Sequence, residues 1–177
     1  MLHFSRKKIV ITGPECSGKT TLALKLSAVM KGVYIPEVAR PLLALTNNQY
    51  LLKDLLTIAK YQSALEQAVE GCGHGWIICD TSMLVIKIWS EYRFKEVDPL
   101  IAGYFQNSSA DLWLLCEPLT EWHPDILRDT EQNRDQLFKL YHDELVRAGK
   151  EFLVVPNLPV KERLDWVFSE LENRKFL

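Results

Sequence analysis

Short, continuously apolar runs alternate along this chain with longer stretches whose apolar residues recur every three or four positions. Residues 7–12 (KKIVIT), 33–35, 76–79, 111–116 and 152–155 have the first pattern and predict five strands. A strand that is apolar at nearly every position, rather than at alternate ones, is buried on both faces. Residues 19–31, 37–45, 54–70, 82–92, 98–106 and 131–148 predict helices, with a last one from about Pro159. The inward face of 54–70 reads Leu55, Ile58, Ala59, Leu65 and Val69. That of 131–148 reads Leu137, Leu140, Tyr141 and Leu145, and that of the last helix Val160, Leu164, Val167, Phe168 and Leu171. Strands separated by helices pair in parallel, because parallel neighbours need long crossovers. The expected fold class is α/β, a three-layer sandwich of about five parallel strands with helices on both faces.

Residues 117–132 form the one long stretch without an apolar period. A segment of that length in a compact domain is usually functional or mobile, which makes about 117–135 a candidate lid. There is no internal repeat or Pro/Gly/Ser-rich linker, so 1–177 reads as a single domain. The formal net charge is −2, from 21 basic and 23 acidic residues. That balance argues against a nucleic-acid surface, whose affinity comes from a basic excess. The apolar runs fall far short of the roughly 18 residues of a membrane span. The start, MLHFSRKKIVIT, lacks the apolar core of a signal peptide. The chain reads as soluble and cytoplasmic, with no membrane or nucleic-acid partner, while a homo-oligomer is not readable from it. Cys16, Cys72, Cys79 and Cys116 form no C-x-x-C pair and are expected to be packing residues.

Between the first strand and first helix stands Gly13-Pro14-Glu15-Cys16-Ser17-Gly18-Lys19-Thr20, followed by Thr21. This fits G-x-x-x-x-G-K-[ST] in the strand-to-helix context that the motif requires. The glycines let successive backbone N–H groups curl around phosphate oxygens, and the helix start adds partial positive charge. Lys19 would reach the β- and γ-phosphates and Thr20 would ligate Mg²⁺. The motif points to a P-loop fold and to ATP with Mg²⁺ as cofactors, since no guanine-reading N-K-x-D follows a strand. The third strand ends in Asp80, a candidate metal-holding carboxylate; Asp80, Thr81 and Ser82 also precede a helix and could cap it. The second strand leads into Glu37, with Arg40 one helical turn on. A carboxylate there could accept the proton of an attacking hydroxyl, or form an ordinary pair at a helix start.

The set GPECSGKTT, YIPEVAR, the strand ending in Asp80-Thr81, and Leu115-Cys116 followed by WHPDILRD and Arg134 resembles the ribosylnicotinamide kinase domain of the NadR family. The resemblance runs from about Lys8 to Phe168 and implies a nucleoside-kinase-like enzyme that phosphorylates nicotinamide riboside to nicotinamide mononucleotide in NAD salvage. YIPEVAR is also similar to the segment of deoxynucleoside kinases in which the Glu is the base toward the sugar hydroxyl. By that similarity Glu37 is the general-base candidate, with Asp80 its rival. The family joins this domain to an adenylyltransferase, whose H-x-G-H signature is absent here, and the usual W-x-x-D-G-x-R reads Trp122-His-Pro-Asp125-Ile126-Leu-Arg128. Arg128 and Arg134 would stabilise charge on the transferring phosphoryl group. Trp122 would stack on a pyridinium ring or anchor the lid, and Asp125 would bind ribose hydroxyls or turn the chain. Tyr61 sits on a helix that could line the acceptor cleft, with packing the preferred reading; Trp89, Tyr92 and Phe94 read as core, and the loop 156–159 is where this fold often seats adenine. The other open readings are a kinase for a different (deoxy)nucleoside and an ATP-binding regulatory module without a nucleoside acceptor.

Overall fold

The computed structural model describes residues 6–72, 75–121 and 131–177. The strands are β1 (Lys7–Thr12), β2 (Val33–Ile35), β3 (Trp76–Asp80), β4 (Leu112–Cys116) and β5 (Phe152–Val155). The helices are α1 (Lys19–Val29), α2 (Ala39–Leu45), α3 (Leu52–Gly71), α4 (Met83–Trp89), α5 (Pro99–Gln106), α6 (Arg134–Arg147) and α7 (Val160–Asn173). All strand pairs are parallel, in the order β2-β3-β1-β4-β5. The expected α/β sandwich is therefore the one observed. β1 sits at its centre, so the loop that follows it opens at the middle of the carboxyl edge, where ligands bind in such sheets.

The two faces of the sheet bury different layers. Val10, Ile35, Ile77, Cys79, Trp113 and Leu115 pack against α3, α4, α5 and α6, around the fully buried ring of Trp113. Ile9, Ile11, Ile78, Leu112, Leu114 and Cys116 pack against α1 and α7. Neither face of the central strands meets water, which is why those runs are apolar throughout.

Several local expectations are corrected. Residues 82–92 do not form one helix: α4 stops at Trp89 and continues as a π-helical turn, Ser90–Phe94. Insertions of that kind recur at functional sites. Glu37 precedes α2 rather than lying within it. The fully buried stripe of α3 is Leu55, Ile58, Ala59, Gln62 and Glu66, with Leu65 and Val69 partly buried against the same core. Leu140 and Val160 are exposed, and the inward position on α7 is taken by Arg163 instead. Cys72 is exposed and does not pack in the core, unlike the other three free cysteines. Among the described residues, no helix is long and apolar enough to cross a membrane.

Candidate active site

The loop Gly13–Gly18 leaves β1 and turns directly into α1. Gly13 has φ 137° and lies against β4: a Cβ there would sit 2.6 Å from the Cys116 carbonyl oxygen. Gly18 caps α1 in the left-handed region, with φ 73° and no side-chain cap bond. The first N–H groups of the helix thus keep no local side-chain acceptor at the place where the motif puts phosphate. Lys19 folds back on the loop, its ammonium donating to the Pro14 carbonyl at 2.6 Å and to Ser17 Oγ at 3.4 Å. Burial lowers the Lys19 pKa from its ordinary value, opposed by the nearby charges of Glu37 and Asp80. A nearby polyanion acts against that shift, because opposite charge favours the ammonium form.

The two carboxylates predicted from sequence are brought together around that lysine. Glu37 and Arg40 line the cleft that begins at the phosphate loop and runs to Leu43, Asn48, Tyr50, Leu55, Trp89, Leu137 and Tyr141. Glu37 Oε2 and Arg40 Nε are 3.8 Å apart, with the arginine side chain 45% exposed. Such a pair contributes about 0–1 kcal/mol to stability, so its position in the cleft matters more than its strength. A side groove joins this cleft through Thr20, Glu37 and Arg40, and reaches Asp80, Tyr34 and Tyr61. Asp80 is buried at the end of β3. Its Oδ2 accepts the Tyr34 hydroxyl at 3.0 Å, whereas Oδ1 has no hydrogen-bond partner. Burial raises the Tyr34 pKa above its usual range, with the Asp80 charge acting in the same direction. That keeps Tyr34 a donor.

Asp80 is thus not a helix cap, and Ser82, at the N-cap position of α4, makes no side-chain capping bond because its hydroxyl donates to Glu66. An orphaned buried carboxylate oxygen is costly unless a cation or donor arrives. Among the described residues no cluster of three or more His, Cys, Asp or Glu could hold an ion unaided. Thr20 and Asp80 offer hard oxygens, the type that Mg²⁺ takes together with substrate phosphates. These residues fit that metal.

A family model described as an AAA domain matches residues 8–163. The chain belongs to that family. Among solved structures, this AAA domain is similar to NadR in complex with NR (TM-score 0.75, 22% identity, covering 86% of this chain and 46% of that one). It is also similar to deoxyadenosine kinase from M. mycoides with products dCMP and a flexible dCDP bound (0.71, 19%, 94% and 99%). A third similar structure is thymidylate kinase from Ehrlichia chaffeensis (0.68, 16%, 95% and 99%). The likeness is one of fold. The chain spans about half the length of the NadR structures it matches. No curated protein matches it.

The described residues on either side of 122–130 are tied to the phosphate loop of this AAA domain. Leu119 N–H donates to the Cys16 carbonyl at 2.8 Å, and Arg134 Nη1 donates to the Leu119 carbonyl at 2.5 Å. Asn157, in the loop after β5, donates through its N–H to Glu117 Oε2 and through Nδ2 to Thr120 Oγ1, both at 3.0 Å. Trp122, Asp125 and Arg128 lie outside the described residues.

Three residues with a place here were missed or misread. Arg163 is 2% exposed and donates to the Ser17 carbonyl at 2.6 Å, gripping the phosphate loop from α7. It also lines a third pocket with Gly18, Thr21, Leu119 and Asn157–Val160. An arginine three residues after Val160, in the inward register, was the available signal. Trp89 packs against the core as expected and also lines the main cleft. Tyr61 is 60% exposed and walls the side groove, so it is not a core packing residue.

Proposed function

We propose that the chain is an ATP- and Mg²⁺-dependent kinase that transfers the γ-phosphoryl group to the 5′-hydroxyl of a nucleoside. The observation that carries this reading is the placement of Glu37 beside Lys19, in a cleft that continues past both into an aromatic-lined recess. A simple nucleotide switch has no use for such a recess. Fold likeness to one NadR structure in complex with NR and to deoxyadenosine and thymidylate kinases supports the same reading.

The triphosphate lies along Gly13–Thr21, with Lys19 leaving Pro14 to pair with the β- and γ-phosphates. Thr20 and Asp80 would hold Mg²⁺, which would neutralise charge on the phosphate oxygens. Glu37 takes the proton from the 5′-hydroxyl as that oxygen attacks the γ-phosphorus. The bond to the β,γ-bridging oxygen breaks and ADP leaves. Asp80, held by Tyr34 and committed to the metal, is the less suitable base. Arg40 offsets the charge of Glu37, and Arg128 and Arg134 close over the transferring group. The adenine occupies the pocket between Gly18, Thr21 and the loop 156–159.

Nicotinamide riboside is the preferred acceptor, giving nicotinamide mononucleotide for NAD synthesis. Its cationic ring suits the face of Trp89, beside the phenol of Tyr50. By the NadR resemblance Trp122 and Asp125, outside the described residues, would add the ring and ribose contacts. A deoxynucleoside is the second reading, because the chain spans 99% of the deoxyadenosine kinase structure but about half of NadR. The test is ADP release with ATP and Mg²⁺ across a nucleoside panel. Strong stimulation by nicotinamide riboside alone is expected. Stimulation by another nucleoside keeps the chemistry and changes the acceptor, and no stimulation by any rejects the kinase reading.

A further inference from the structure

The buried stripe of α3 ends in two polar residues, Gln62 at 2% and Glu66 at 6% exposure. Apolar residues there would fill the space without the cost of removing an amide and a carboxylate from water. Both side chains are fully engaged. Gln62 Oε1 accepts the Val38 N–H at 3.0 Å, and Gln62 Nε2 donates to Glu66 Oε1 at 3.1 Å. The same oxygen accepts the Ser82 hydroxyl at 3.1 Å, while Glu66 Oε2 accepts Lys8 Nζ at 2.6 Å. The two outer ends of this network lie one residue after Glu37 and two residues after Asp80. At both places a helix begins without a side-chain cap of its own. The Val38 N–H and the Ser82 hydroxyl are bound to α3 instead.

We infer that Gln62 and Glu66 are positioning residues that hold the Glu37 and Asp80 segments at one fixed separation for phosphoryl transfer. The network touches neither nucleotide nor acceptor. It works through the backbone at Val38 and the turn at Ser82, and Glu66 is itself held in place by its pair with Lys8. In this arrangement one helix sets the distance between the base and the metal-holding carboxylate, which β2 and β3 alone leave to a three-residue strand. The inference rests on the kinase reading, with Glu37 as base.

The test breaks one hydrogen bond from each side. Gln62→Met keeps length and loses both bonds, whereas Val38→Pro removes the N–H together with the valine side chain, at a residue whose φ of −70° suits the proline ring. Each is expected to lower kcat about 10- to 100-fold, as small misplacements of reacting groups do. The KM for ATP should stay within about twofold of wild type. The double variant should be no slower than the slower single one, because both remove the same bond. Ser82→Ala, which deletes one hydroxyl at the other end, should slow turnover less and in the same pattern. Melting temperatures measured alongside confirm that each variant is folded under assay conditions. Unchanged kcat in folded Gln62→Met and Ser82→Ala, or losses that add in the double variant, would overturn the inference. Glu37→Gln in the same assay separates the two claims. If it leaves kcat unchanged, the base assignment falls; if it lowers kcat while Gln62→Met does not, only the positioning role falls.

Discussion

The phosphate loop and the carboxylate pair sit at the same edge of the sheet but are built in opposite ways. The loop is one continuous segment, Gly13–Thr21, shaped first by its own glycines and the start of α1, with Arg163 and Leu119 bonded to its carbonyls from outside. The pair is assembled from β2 and β3, 43 positions apart in sequence between Glu37 and Asp80, and is tied together through a third element, α3. A local device survives changes elsewhere and binds any nucleotide of the right charge. An assembled device depends on packing and can be adjusted to one acceptor. Binding of ATP and transfer to a nucleoside should therefore separate under mutation.

The largest expected effect lies in the loop. Lys19→Ala removes the cation that the loop motif supplies to the phosphates, and turnover should fall below detection; near wild-type turnover would contradict its placement. Glu37→Gln should lower kcat by about 10²–10⁴, the usual contribution of a general base, while the KM for ATP barely moves. A parallel rise in that KM would erase the division between the two regions. Tyr34→Phe removes the donor to Asp80 Oδ2 and leaves the carboxylate free to turn. A hydrogen bond to a charged group is worth about 1.5–3 kcal/mol, so turnover should fall about tenfold or somewhat more at low Mg²⁺ and recover partly as Mg²⁺ is raised. An identical loss at every Mg²⁺ concentration would argue against Asp80 as a metal holder.

The smallest effect concerns pH and the buried Lys8 cluster below the carboxylate pair. Burial pushes the Lys8 pKa down, but the Glu66 and Glu70 carboxylates outweigh it and leave it raised. The Glu70 pKa is lowered: burial opposes ionisation, and hydrogen bonds from Lys8 and Ser109 overcome it. A depressed carboxylate contributes stability above its ordinary pKa of 4.5, and that contribution is lost as pH falls through its folded value. A raised lysine contributes below 10.5 and loses its contribution as pH rises through its folded value. Glu70→Gln should accordingly flatten the decline of the melting temperature below pH 4.5. A decline as steep as that of wild type would remove Glu70 from the account.

The same contrast explains what could be read in the sequence. The loop was legible because its chemistry is contiguous, and the strands because central parallel strands are apolar at every position. Glu37, Asp80 and Thr20 were legible as types at the ends of strands or the start of a helix, and the fold brings them to one place. Gln62 and Glu66 were not. A polar residue in the inward register looks like the edge of a helix face, so the predicted stripe of α3 drifted toward Leu65 and Val69. Ser82 looked like a cap for the same reason: its partner is 16 residues away on another helix. Arg163 was passed over because a charge on a terminal helix reads as surface until its acceptor, Ser17, is folded against it.

One measurement bears most directly on the claim that these two regions form a single transfer site. ATP labelled in the γ-phosphoryl group is incubated with the protein, Mg²⁺ and nicotinamide riboside, and the nucleoside is analysed for mass and label. The account predicts nicotinamide mononucleotide carrying the label, formed in step with ADP and lost in Lys19→Ala. Release of the label only as inorganic phosphate, at the same rate with or without nucleoside, would contradict it.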